Sequence, residues 1–222
     1  LENLKIQNNV IESSWENNVK RFLFLGSSCI YPKNSKQPIK EEELLTGSIE
    51  NTNLWYALAK ISGIKLCQAL RIQYGFDSIS LMPPNLYGKG DNYHQTNSHV
   101  LPALLDRFHH HTLYQKDVIE CWGSGNPRRE FMHVDDLADA VLFALEKWDP
   151  NDKNAPIDIN GNPLFLLNVG TGKDISIKDL SVLISELVGF KGETIWDFSK
   201  PDGTPRKNLN ISKISQLGWE SS

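Results

Sequence analysis

No glycine occurs before Gly26, so residues 1–25 hold no glycine-rich turn of the kind that cradles a dinucleotide's phosphates. Cysteine is scarce and odd in number: Cys29, Cys67 and Cys121 are scattered. That pattern excludes a disulfide framework and any zinc-ligand spacing, and it favours a reducing cytoplasm. No apolar run approaches the roughly 20 residues that cross a bilayer, and the first residues lack the zones of a signal peptide. The net charge is only −4, so neither nucleic acid nor an anionic membrane is expected as partner. Repeats and low-complexity tracts are missing too. What remains, 40% hydrophobic and 23% charged residues over 222 positions, is ordinary for a soluble globular protein. It suffices for one domain with a sizeable core, or one and a half small ones.

Strand and helix patterns alternate. Residues 1 to about 18 read as an amphipathic helix, and Phe22 to Leu25 as a strand buried on both faces. Residues 32–47 are loop-like. A long helix from about Leu54 to Tyr74 ends at Gly75. Its apolar residues cover more than one face, so both sides are expected to pack. A strand over 78–82, a loop over 85–98, a helix over about 100–109 and a strand over 118–122 follow. Asp135 is expected to cap a helix reaching about Lys147, residues 149–163 to form an exposed loop, and 165–169 to form a strand. Gly170-Thr171-Gly172 reads as a turn, and Ser176 and Asp179 have capping-box spacing before a helix that stops at Gly189. A last strand spans 194–198. The order predicts an α/β protein with a mainly parallel sheet.

Tyr56 and Lys60 stand one helical turn apart on one face. A nearby ammonium favours the phenolate, which would make Tyr56 an acid or base usable near neutrality. Ser27, at the end of a buried strand, can hold a carbonyl oxygen beside that phenol. This is the active-site logic of the short-chain dehydrogenase/reductase superfamily. Alone, a Tyr-x-x-x-Lys spacing is weak. Cys29 alone is a small buried hydrophobe, and His99 a capping or packing group. The run His109-His110-His111 reads as a solvated helix end, because consecutive helical positions diverge; no metal is expected. Cys67 and Cys121 read as thiols without a role. Arg128 and Arg129 form either a surface pair or a phosphate contact.

Seven strings occur in order: GSSCIYP, YALAK, MPPNLYG, DNYHQTNSHVLPALLDRF, WGSGNPRREFMHVDDLADA, NVGTG and KPDGTPRK. Together they resemble the GDP-L-fucose synthase family (GDP-4-keto-6-deoxymannose 3,5-epimerase/4-reductases), extended members of the short-chain dehydrogenases/reductases, over nearly the whole chain. The resemblance implies a partial Rossmann-like, doubly wound parallel sheet with a smaller C-terminal substrate-binding domain. Residues 1–90 would be the C-terminal part of an NADP-binding Rossmann domain whose glycine-rich first half is absent. Residues 91–222 would mainly bind the GDP-sugar, with some segments returning to the Rossmann sheet. The chain is then expected to be truncated at its N-terminus by roughly two βαβ units of about 30 residues each.

The implied chemistry is epimerisation beside a 4-keto group, then reduction by NADPH. Cys29 and His99 would be the acid/base pair, Tyr56 the proton donor to the carbonyl, Lys60 its tuning group and Ser27 a ligand of the sugar oxygen. Ser27, Tyr56, Lys60 and His99 would also meet the cofactor. Asn85, Arg107, Trp122, Arg129, Lys200 and Asp202 would bind substrate, with Arg129 suited to the diphosphate. NADP(H) binding by this chain is expected to be weak or absent, and the chain inactive by itself. A homodimer through helices 1–18 and 54–74 is expected. Two alternatives stay open: an NAD-dependent epimerase or dehydratase of another nucleotide sugar, and a non-catalytic GDP-sugar-binding or interaction module.

Overall fold

A computed structural model describes residues 1–94 and 97–222. Gln95 and Thr96, part of the 85–98 loop expectation and of the DNYHQTNSH string, lie outside the described residues. The elements are α1 (Glu2–Glu16), β1 (Phe22–Leu25), α2 (Leu54–Tyr74), β2 (Ser78–Met82), β3 (Asn85–Tyr87), α3 (Val100–Leu113), β4 (Val118–Trp122), β5 (Arg128–His133), α4 (Val134–Lys147), β6 (Leu166–Asn168), β7 (Asp174–Ser176), α5 (Ile177–Val188), β8 (Glu193–Asp197), β9 (Arg206–Lys207) and α6 (Ser212–Gln216). Single helical turns at 28–30, 41–43 and 51–53 punctuate the expected loop and its flanks.

The central sheet has the parallel order β1-β2-β6. Every residue of β2 is buried, as a parallel strand covered on both faces requires. One face carries Phe24, Met82 and Leu166 against Ile61, Ile64 and Cys67 of α2 and Ile11 of α1. The other carries Ile79, Leu81 and Leu167 against Leu137, Ala140 and Ala144 of α4 and Ile214 of α6. Helix α2 lies close on β1 because Gly63 faces the sheet: a Cβ there would stand 2.5 Å from Phe24 Cζ. α2 packs fewer sides than its composition suggests, since Trp55 and Leu58 are exposed. Gly75 ends it in the left-handed conformation expected of that residue.

A separate apolar cluster joins α3 and α5 to the parallel pair β4-β8, centred on Phe108, Ile119, Leu180 and Phe190. Between these bodies β5 pairs with β3 and β9 in parallel and with β7 in antiparallel. The strands β3, β5, β7 and β9 were not expected from the pattern. They are short or charged, and their pairing is set by distant partners. α3 runs on to Leu113, with His110 and His111 in its last turn and His109 and His110 exposed, so the histidine run lies at the solvated helix end that was expected. The cap of α4 is His133, whose Nδ1 accepts the Asp135 amide at 3.3 Å, and Asp135 lies inside the first turn.

Candidate active site

Ser27 follows β1, Asn85 follows β2 and Gly170 follows β6, so the candidate residues gather at the carboxyl ends of the parallel strands. Open α/β sheets bind ligands there. Gly26 and Ser28 donate to the carbonyls of Leu81 and Pro83, each at 2.9 Å, which extends the β1 pairing into the GSSC string. Ser27 then turns the chain: its extended backbone precedes the helical turn 28–30, and its hydroxyl accepts the Cys29 amide at 3.2 Å. Serine suits this position because its short side chain can cap the orphan amides.

Ser27, Cys29, Tyr56 and Lys60 come together. The Tyr56 side chain hydrogen-bonds Ser27 and senses charge at Cys29. Lys60 Nζ lies 5.9 Å from the Tyr56 ring centroid and donates to the Leu25 carbonyl at 2.8 Å. The expected lowering of the Tyr56 phenol by Lys60 is not what this geometry gives. Burial pushes the phenol up, and the Ser27 hydrogen bond offsets only part of that. Burial likewise lowers the Lys60 ammonium, whose hydrogen bond goes to the strand end and not to the phenol.

Two cations flank Cys29. Lys207 Nζ donates to its sulfur at 3.3 Å. The Arg129 guanidinium is depressed mainly by burial and raised by charge on Cys29, Asp202 and Glu50. Arg128 is different: it pairs with Asp174 at 2.8 Å, which Arg206 also clasps. Of the two arginines, Arg129 is thus the one coupled to the candidate residues, and among the described residues it makes no direct ion pair.

On the far side of Arg129, Asp202 receives the amide and the hydroxyl of Ser124, both at 2.7 Å, and is held below the usual carboxylate range by them. Trp122 follows, 58% exposed, with Arg107 at 5.6 Å and Lys200 at 5.7 Å from its ring centroid. Arg107 is steadied by the Glu120 carbonyl at 2.7 Å. Beside them lies a cavity of about 250 Å³, walled by Leu104, Cys121, Ile177 and Trp196 and opened by Ser98 and Arg107. Its apolar walls and few polar groups suit a planar heterocycle. Arg107 and Lys200 thus gather about the Trp122 ring, and Arg129 feels the charge of both Asp202 and Cys29.

Asn85 donates to the Glu130 carbonyl at 3.1 Å and is half-buried. His99 caps α3 with its backbone only and is exposed. Among the described residues no hydrogen bond joins His99 to Cys29 or Tyr56. Cys67 and Cys121 are each 1% exposed, and burial pushes Cys67 up to about 12. Two residues went unnoticed in the sequence: Lys207, distant in the chain from the thiol it meets, and the buried Glu130. The KPDGTPRK string was the available signal for Lys207. Glu130 carried no such signal, because it follows Arg128 and Arg129 in a stretch without a strand pattern.

The chain matches the NAD dependent epimerase/dehydratase family over residues 1–160. It is 54% identical over 217 residues to "Putative GDP-L-fucose synthase 2" of Arabidopsis thaliana, covering 98% of this chain and 62% of that protein. It is 50% identical to the GDP-L-fucose synthase of Escherichia coli (strain K12), covering 98% of this chain and 67% of that one. It thus spans less than two thirds of the Arabidopsis relative's length. The solved structure of GDP-mannoheptose C4 reductase from Campylobacter jejuni with NADP bound superposes with a TM-score of 0.85 at 40% identity, over 100% of this chain and 69% of that one. The chain belongs to the NAD dependent epimerase/dehydratase family.

Proposed function

We propose that this chain is the substrate-facing part of an enzyme that converts GDP-4-keto-6-deoxymannose to GDP-L-fucose by epimerisation and reduction. The observation that carries the reading is the meeting of Cys29 and Tyr56 at Ser27, with the Lys207 ammonium on the sulfur. A thiolate is a suitable base for a proton beside a ketone, and a cation hydrogen-bonded to sulfur favours that charge. Cys29 takes the proton from the carbon next to the carbonyl. The negative charge moves onto the carbonyl oxygen, where the Ser27 and Tyr56 hydroxyls hold it. His99 returns a proton to the same carbon from the opposite face, which inverts the centre. In the reductive step Tyr56 gives its proton to the carbonyl oxygen, and the raised phenol keeps that proton available at neutral pH. Arg129 receives the diphosphate, and the cavity beside Trp122 the guanine.

NADPH, when bound, supplies the hydride. The donor set at the end of β1 fits its nicotinamide ribose: Lys60 lies half-buried between the Leu25 carbonyl and Tyr56, with Ser27 adjacent. We assign residues 1–90 to the cofactor-binding domain and 91–222 mainly to the substrate-binding one. The cluster of α3, α5, β4 and β8 supports this, while α4, β6 and α6 return to the central sheet. A second copy is the proposed partner of the face bearing Ile6, Val10, Trp55 and Leu58, which α1 and α2 expose. A cytoplasmic setting is proposed because Cys29 must stay a free thiol; among the described residues no helix is long and apolar enough to cross a membrane.

Full-length protein given GDP-4-keto-6-deoxymannose and NADPH is expected to yield GDP-L-fucose, with one NADPH consumed per sugar. A folded, ligand-saturated protein that leaves the keto sugar untouched would sink the reading.

A further inference from the structure

Lys207 sits in a strand of only two residues, which pair with β5. So short a ladder specifies register weakly, and a slip of one residue would turn Lys207 to the opposite face and away from Cys29. Something else must fix it, and the contacts around Glu130 do so. Glu130 is 0% exposed, yet its carboxylate is fully employed. One oxygen accepts the Gly172 amide at 2.9 Å and the Thr171 hydroxyl at 3.5 Å. The other accepts the Leu209 amide at 2.7 Å, two residues beyond Lys207. Position 170 must be glycine for this carboxylate to fit, since a Cβ there would lie 2.1 Å from the Glu130 oxygen. The same segment is threaded past Ile39, whose amide donates to Asn208 at 2.7 Å, and Asn208 reaches the Gly172 carbonyl at 3.3 Å.

A buried carboxylate is costly, and it persists where its hydrogen bonds are numerous and specific. Here it welds the turn after β6 to the strand that carries Lys207. We propose that Glu130 is a positioning residue for Cys29: its carboxylate pins residues 206–210 in the register that sets the Lys207 ammonium against the sulfur. The inference rests on the reading of Cys29 as the thiol that moves the proton. Glu130 touches no reacting atom; it acts through Lys207.

Alkylation by iodoacetamide at neutral pH tests this without any sugar substrate. Cys29 is partly exposed while Cys67 and Cys121 are buried, so peptide mass spectrometry resolves the three. Lys207→Met is expected to slow Cys29 alkylation about tenfold, and Lys207→Arg, which keeps a cation, by less than about threefold. Glu130→Gln keeps the volume but sets an amide NH₂ against one of the two backbone donors. It should slow Cys29 nearly as much as Lys207→Met, and add less than about twofold in the Lys207→Met background. A merely structural role predicts something else: multiplicative effects in the double variant, and Cys67 and Cys121 becoming reactive as the fold loosens. Either result, or wild-type alkylation in Lys207→Met, overturns the proposal. If Glu130→Gln does not fold, Asn208→Ala carries the test, since it releases the same segment at one bond. It should slow Cys29 by about twofold, and no slowing counts against the pinning. Alkylation that behaves as expected in a protein with no action on the keto sugar supports the pinning and refutes the sugar chemistry, so the two failures are distinct.

Discussion

Asn168→Ala probes the joint that connects the central sheet to the Cys29 turn. Asn168 is 0% exposed at the end of β6. Its Oδ1 accepts the Tyr31 hydroxyl at 2.6 Å, and its Nδ2 donates to the carbonyls of Ile39 at 2.9 Å and Asn210 at 3.2 Å. Truncation leaves the Tyr31 hydroxyl without that acceptor while 4% exposed. The Ile39 carbonyl keeps the Asn210 amide at 2.8 Å and is not orphaned. An unsatisfied buried hydroxyl costs about 1–3 kcal/mol and each lost bond about 1 kcal/mol, which together come to about 4 kcal/mol. For a chain of this size that corresponds to a melting point lower by roughly 8–16 °C. The assay is a urea titration beside a thermal melt. Tyr31→Phe in the Asn168→Ala background removes the orphaned hydroxyl and should recover about 1–2 kcal/mol. A loss below about 1 kcal/mol, or no recovery by Tyr31→Phe, would refute the reasoning.

Trp122→Ala should weaken GDP binding by about tenfold to a hundredfold in a calorimetric titration, because it removes the ring between Arg107 and Lys200; unchanged affinity would mean the nucleoside lies elsewhere. Glu41 is buried, and burial raises it above the ordinary value of 4.5. The folded state then holds its proton more tightly than the unfolded chain. Its stabilising contribution is present below 4.5 and is lost as pH rises through the raised folded value. Glu41→Gln is neutral throughout, so the variant's urea midpoint should gain on wild type between acidic and neutral pH; a constant offset contradicts this. Light scattering at high concentration should report a dimer that Trp55→Glu together with Leu58→Glu converts to monomer, and a monomeric wild type would remove the proposed interface.

The parallel core was legible because its signals are local. The apolar runs at Phe22–Leu25 and Ser78–Met82, the stop at Gly75 and the Ser176 cap each declare themselves within a few residues. The strand Arg128–His133 was not, since Arg, Arg and Glu carry no strand pattern and owe their extended form to β3, β7 and β9. The candidate cluster was legible to the same degree. Ser27, Cys29, Tyr56 and Lys60 are close in sequence and share a strand end and one helix. The cation at Cys29 comes from 178 residues away, and no spacing within a motif encodes that distance. The sign of the Tyr56 shift was missed for a related reason. Spacing gives the nearness of Lys60, whereas the burial that outweighs it depends on the whole fold.

The most direct measurement of the central claim is proton exchange in deuterated water. Incubated with GDP-4-keto-6-deoxymannose and no reductant, the protein should wash deuterium into the carbons flanking the carbonyl, as read by mass spectrometry. Cys29→Ala should abolish that exchange while GDP affinity stays within about twofold of wild type. Exchange that persists at the wild-type rate in Cys29→Ala would contradict the assignment of the thiol as the base.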